Sequence, residues 1–348
     1  MKQQWIFVLF VVFFSHLSAQ YTDQINSNRP GMSIGAFAVG KRVIQMEAGA
    51  AKRRYMHQGY NQSTIDGTLG FLSLRWGFLK EELELTYEGV FLWDKLQNKT
   101  AGEAILTERK GFLQNFLGIK YLVFDPFKRE EEPNLYSWKA NNRFRLRDIL
   151  PAVSLTMGAN VIPKSLNPYP YGNVFADLYR PFFYQNIYQN IDDENLVSLR
   201  GTLATQSHFF GRWVFVTNFS YNRLLTKYPE ISYILTLTHT FHPLWSVYIE
   251  NQGIQSEIYT DTIYRLGFAY LLFDDVQLEA TLGTNAKNSP NMMFVNAGVS
   301  YRLDFHKAFT SGAEREAKAE KKAAKKQKKS LKKRDKQNTR RTKKARRN

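Results

Sequence analysis

Cysteine is absent from this 348-residue chain. That excludes disulfide scaffolds, thiolate zinc sites, cysteine nucleophiles and lipid-modified cysteines. Long apolar runs are missing as well. The run Ile6–Phe14 falls short of the roughly 18 residues that a spanning helix needs, and no later segment reaches that length. A helical membrane bundle is therefore excluded. Histidine is scarce, six in all, without the HExxH spacing of a metal site, and there is no Gly-rich phosphate loop. No metal or cofactor is expected, and no enzymatic activity. Outside its C-terminal end the chain also lacks charge of one sign. His306–Asn348 holds 19 Lys and Arg against 4 Asp and Glu, which is +15 of the net +17. The body is nearly neutral.

What the chain has in abundance is large rings, 26 Phe, 19 Tyr and 6 Trp, in a sequence that is hydrophilic on average. Strands that alternate between two surroundings produce this pairing. Val276, Leu278, Ala280 and Leu282 fall on one side of a period-two pattern, and Gln277, Glu279 and Thr281 on the other. Val295 to Phe305 and Leu83 to Trp93 repeat it. Comparable segments are read at 41–52, 65–78, 81–93, 111–123, 149–161, 196–208, 212–222, 231–241, 244–254, 262–272, 275–284 and 292–305. About twelve strands of roughly ten residues match an outer-membrane barrel. The expected fold is all-β: a transmembrane antiparallel up-and-down β-barrel of about 12 strands, with a disordered or transiently helical basic C-terminal tail.

Met1–Ala19 has a positive start at Lys2, an apolar centre and a small residue at Ala19, the layout of a secretory signal peptide. Leu17 stands where a small residue is usual, which allows a cut a few residues away. The expected organisation is a signal peptide at 1–19, a periplasmic or lumen segment at 20–40, the barrel at 41–305 and a basic periplasmic tail at 306–348. With the N-terminus periplasmic, short turns at Leu79-Lys80, Phe209–Gly211, His242-Pro243 and Phe273–Asp275 face the periplasm, and longer loops face outward. Asp125–Asp148 is a long connection on the short-turn side, expected under or inside the barrel. A soluble sandwich would also alternate, but it gains nothing from rings near strand ends. Trp76, Trp93, Trp213 and Trp245 sit there, on the apolar parity, as an aromatic girdle would.

The polar parity holds Glu47, Glu82, Glu84, Glu88, Glu250, Glu279 and Asp304 with Arg75, Lys120, Arg200, Arg265 and Arg302. Facing lipid, a mid-depth Arg or Lys would cost roughly 2–4 kcal/mol. These residues are therefore expected in the lumen, either bracing it as ion pairs or lining a selective pathway. His239 falls on the lipid parity, where a phospholipase-like barrel would place its base, but no Ser/Asn partner motif accompanies it. The aromatic loop Leu166–Asn195 is expected to pack inward or on itself. The tail has no apolar face to dock. In an exported protein its partners would be lipopolysaccharide or cell-wall polyanions, with nucleic acid disfavoured.

Several stretches carry a family likeness: Ile234–His239, Trp245–Glu250, Tyr264–Tyr270, Val276–Gly283 and Val295–Arg302, with Asn28–Gly31, Gly118–Tyr121 and Leu150–Val153 earlier. Over roughly residues 25–305 the chain resembles the outer-membrane transporter family of the MetA-pathway of phenol degradation. The resemblance implies a bacterial outer-membrane barrel that transports small, aromatic or hydrophobic compounds, embedded in outer-membrane lipid. It supplies no ligand residues. Another class remains open, a non-conducting barrel that anchors cell-wall or protein partners through the tail; an open, continuous lumen would favour transport, and one filled by Asp125–Asp148 or by charged pairs the anchor.

Overall fold

The computed structural model describes residues 25, 27–28, 31–58, 62–100, 103–126, 150–161, 197–209, 212–224, 229–257 and 260–305. Among them are twelve strands: β1 (Val43–His57), β2 (Ser63–Gly77), β3 (Leu83–Thr100), β4 (Glu103–Phe124), β5 (Ala152–Val161) and β6 (Val197–Phe209), then β7 (Trp213–Leu224), β8 (Glu230–His242), β9 (Trp245–Ser256), β10 (Thr260–Phe273), β11 (Val276–Asn285) and β12 (Asn291–Asp304). Each pairs antiparallel with its sequence neighbours, and β12 returns to β1, so the sheet closes. Closure leaves no sheet edge in the hydrocarbon, where an unpaired backbone group has no water to bond.

The two faces are inverted relative to a water-soluble protein. On β10, Tyr264, Leu266 and Phe268 are exposed, while Asp261, Ile263, Arg265 and Ala269 are buried. On β12, Met293, Val295 and Val299 point out and Asn296, Ser300 and Arg302 point in. In water such an apolar exterior would drive aggregation; around a barrel it is the lipid belt.

The structure departs most from the expected strands in two places. β1 runs to His57 rather than ending at 52, and the described residues of 94–110, expected as an outer loop, are all strand. Their charges stay extended because they pair across the hairpin, Lys95 with Glu108 at 2.7 Å and Arg109 with Asp94 at 2.6 Å. The connection expected as a long loop is thus built as a strand hairpin over its described residues. Of Asp125–Asp148, residues 127–148 lie outside the described residues, as do Leu166–Asn195, the segment 1–24 and the tail from 306.

Candidate functional site: the barrel lumen

Strand parity delivers the predicted charges to the interior. Glu47, Arg75, Glu82, Glu84, Lys120, Arg200, Glu250, Arg265, Glu279 and Arg302 are all buried, and Glu88 is partly so. Asp304 differs. It closes β12 at the rim, its side chain about a third exposed and its carboxylate 3.4 Å from Arg302. Glu82 precedes β3 and sits in the turn.

The buried charges form local sets. Glu84 accepts from Arg75 through Nε at 2.7 Å and Nη2 at 2.9 Å, with Lys120 Nζ 3.6 Å away. Glu250 accepts from Arg265 Nη1 at 2.7 Å and from Thr236 Oγ1 at 2.9 Å, while Arg265 Nη2 donates to Gln252. Arg200 donates to Glu88 at 2.9 Å and lies over the Phe116 ring, 3.5 Å from its centre. A charge in a low-dielectric interior persists only with such partners.

A second element completes the interior. The segment before β1 enters near the β10–β11 turn, where Ile25 N donates to Asp274 O, and then crosses the lumen as a strap. Asn28 N donates to Glu47, Met32 N and Ser33 N to Glu250, Ile34 N to Asn218, Ala36 N to Gln206 and Val39 N to Glu84. In return the Phe37 carbonyl accepts from Arg75 at 3.1 Å and Lys120 at 2.7 Å. Non-strand backbone at membrane depth needs internal partners for its N–H and C=O groups, and the inward carboxylates and amides provide them. Gly40, at φ 90°, makes the turn that leads the strap into β1. The segment expected as periplasmic or luminal is thus luminal over its described residues.

Above the strap the interior changes character. Tyr55, Ile65, Leu69, Leu92, Leu113, Ile263, Met292 and Phe294 form a buried apolar cluster toward the end of the barrel away from the strap's entry. Phe294 lies against Gly283, where an added Cβ would collide with the ring, and Arg53 and Arg265 flank it at 5.4 and 5.5 Å. Between strap and cluster is a cavity of about 70 Å³, bordered by Glu88, Gln114, Arg200, Thr202, Asn218 and the strap's Gly31–Ile34.

Several interior residues escaped the sequence reading. Asp94, Arg109, Arg223 and Glu230 lie on strand ends read as loop; extending the period-two count would have placed Asp94 and Glu230 inside but Arg109 and Arg223 outside, because the bulge at Leu113 and the register shift before Leu224 reverse the parity beyond them. Gln114 shares the inward parity of Lys120 and needed only the same count; Leu113 does not, since a β-bulge turns it inward beside Gln114, a break in alternation without a sequence signal. Gln206 and Asn218 are ordinary amides until the strap is seen. Gly31-Met32-Ser33-Ile34-Gly35 has the G-x-S-x-G spacing of a serine nucleophile elbow, a motif expected to be absent. That motif needs a strand–turn–helix setting; here Ser33 belongs to the strap, its N–H donating to Glu250.

On the outside, Trp76, Trp213 and Trp245 are exposed at strand ends, whereas Trp93, expected at one, is exposed in the middle of β3 because that strand runs on to Thr100. Trp245 packs on Tyr270 at 4.5 Å and Trp213 on His239 at 4.1 Å, so the histidine on the lipid parity sits in the ring belt. Among the described residues no group of three or more His, Asp or Glu is placed to hold a metal ion.

A closed twelve-stranded barrel with an apolar exterior and a charged, strap-filled interior defines an outer-membrane β-barrel protein. The chain belongs to the family described as "Putative MetA-pathway of phenol degradation", whose model matches residues 27–303. No curated protein matches it. Among solved structures it is similar to an outer membrane channel from Pseudomonas putida F1, at 13% identity over 80% of this chain and 100% of that one, TM-score 0.45. The translocator domain of autotransporter NalP from Neisseria meningitidis follows at 9% identity, 79% and 90% coverage, TM-score 0.40. The CymD monoaromatic hydrocarbon channel overlaps at 8% identity, 76% and 89% coverage, TM-score 0.38. Overlaps this loose assign no cargo.

Proposed function

We propose that the protein is an outer-membrane channel for small, apolar or aromatic solutes, and that the strap closes its lumen in the state described. One observation carries this reading. The wall closes through β1, β2 and β12 without the strap, which is held by side chains reaching inward rather than by strand pairing. Withdrawing it exchanges those hydrogen bonds for bonds to water, a small net change per bond, and leaves the strap's half of the lumen polar and unfilled beside the apolar cluster. The family's description, which refers to phenol degradation, supports the solute class. In planar bilayers the full chain should give small conductance steps, and a variant lacking residues 28–38 distinctly larger ones. Equal steps from both would remove the strap's role; no conductance from either would remove the channel.

The proposal includes removal of residues 1–19 on export and a periplasmic tail. Its support is the sequence layout and the shared side of the strap's entry, the β8–β9 and β10–β11 turns and the end of β12. A run of Lys and Arg meeting a polyanion releases condensed counterions, so its binding weakens steeply with salt. Deleting Ala313–Asn348 should leave assembly and conductance intact and abolish salt-sensitive retention on isolated lipopolysaccharide or cell wall. Retention unchanged by the deletion would leave the tail without this role.

A further inference from the structure

We infer that the cavity above the strap binds small uncharged molecules with an apolar ring and one hydroxyl donor, the hydroxyl bonding to Glu88; this solute class rests on the channel reading above. The bulge on β4 creates the setting. By turning two consecutive residues inward it gives Leu113 to the apolar cluster and Gln114 to the cavity, so the boundary between dry and polar lumen falls at one point of the wall. Val90, across from Gln114, touches both sides, packing on the cluster and bordering the cavity.

The polar side is built rather than incidental. Glu88 accepts from Gln114 Nε2 and from Arg200 Nη1, and Arg200 is buried and fixed by the Phe116 ring beneath it. The carboxylate is about a quarter exposed. A volume of about 70 Å³ corresponds to roughly five to seven water-sized positions, enough for one monosubstituted six-membered ring and too little for a fused pair.

Charge selects within that size. Glu88 and Arg200 neutralise each other and Glu47 adds a second carboxylate to the wall, so an anionic solute would lose its hydration without finding an uncompensated positive charge. A hydrocarbon would gain the apolar edge at Val90 but displace water from polar groups it cannot bond. A phenol or small alcohol meets both demands, placing its ring toward Val90 and donating a charge-assisted hydrogen bond to the carboxylate.

Calorimetric titration of the refolded full-length barrel in micelles with phenol, toluene and benzoate tests this. Phenol should bind saturably, with toluene and benzoate roughly tenfold or more weaker. Glu88→Gln should weaken phenol roughly tenfold while leaving toluene unchanged. Val90→Phe, which fills the cavity and leaves every charge in place, should abolish phenol binding; it and the native ligand series decide the matter if Glu88→Gln does not assemble. Toluene or benzoate binding as tightly as phenol overturns the assignment, as does phenol binding indifferent to Val90→Phe. Phenol binding that persists when liposome swelling shows no flux of any solute overturns the channel reading and leaves the site standing.

Discussion

Replacing Glu84 by leucine should destabilise the barrel by about 3–5 kcal/mol, the usual consequence of removing one partner from a buried ion set. The carboxylate is fully buried and faces two cations that are equally buried, Arg75 at 2.7 Å and Lys120 at 3.6 Å. Its removal leaves two charges without their counterion and deprives Val39 N of its acceptor at 2.9 Å. The loss should appear as a lower urea midpoint for the barrel in micelles and a weakened heat-modifiable band. Glu84→Gln keeps the shape and an acceptor oxygen and should cost less. Exchanging all three members for apolar residues of similar volume should recover most of the stability, because the penalty comes from the orphaned charge rather than from the missing bond. A shift below about 1 kcal/mol for Glu84→Leu, the worth of one ordinary hydrogen bond, would mean that this set does not hold the lower lumen together.

Leu266→Arg should cost roughly 2–4 kcal/mol if it lies near the bilayer midplane. Leu266 pairs with Ile249 on β9 and Leu282 on β11, and all three are exposed near the centres of their strands. A guanidinium there must sit in hydrocarbon or bend toward the headgroups. Its neighbour Arg265 carries the same group without that cost, since it faces Glu250 and Gln252 inside. The test is refolding into lipid vesicles followed by urea titration. An unchanged midpoint would show that the β10 faces are assigned the wrong way round.

Much of this architecture could be read from the chain alone, because a strand's alternation is a local property. Side chains at i and i+2 share a face whatever the rest of the molecule does. That placed Glu47, Arg75, Glu84, Lys120, Glu250 and Arg265 inside and Trp76, Trp93, Trp213 and Trp245 outside. It failed where locality fails. The 94–110 stretch resembles a loop by composition and is extended by partners on the opposite strand, Asp94 with Arg109 and Lys95 with Glu108. The Leu113–Gln114 bulge breaks the count without any marker.

The strap lies furthest from what alternation can reveal. Residues 25–40 carry no periodic pattern, and their partners are as remote as Glu250 and Asn218, some 218 and 184 positions away. By itself the sequence determined the strands, their number and which face meets lipid, since each follows from neighbours a few residues apart. Only the tertiary structure decided what fills the lumen, where its polar and apolar zones meet and which carboxylate serves which donor, since those depend on how the closed sheet brings distant strands around one enclosed space.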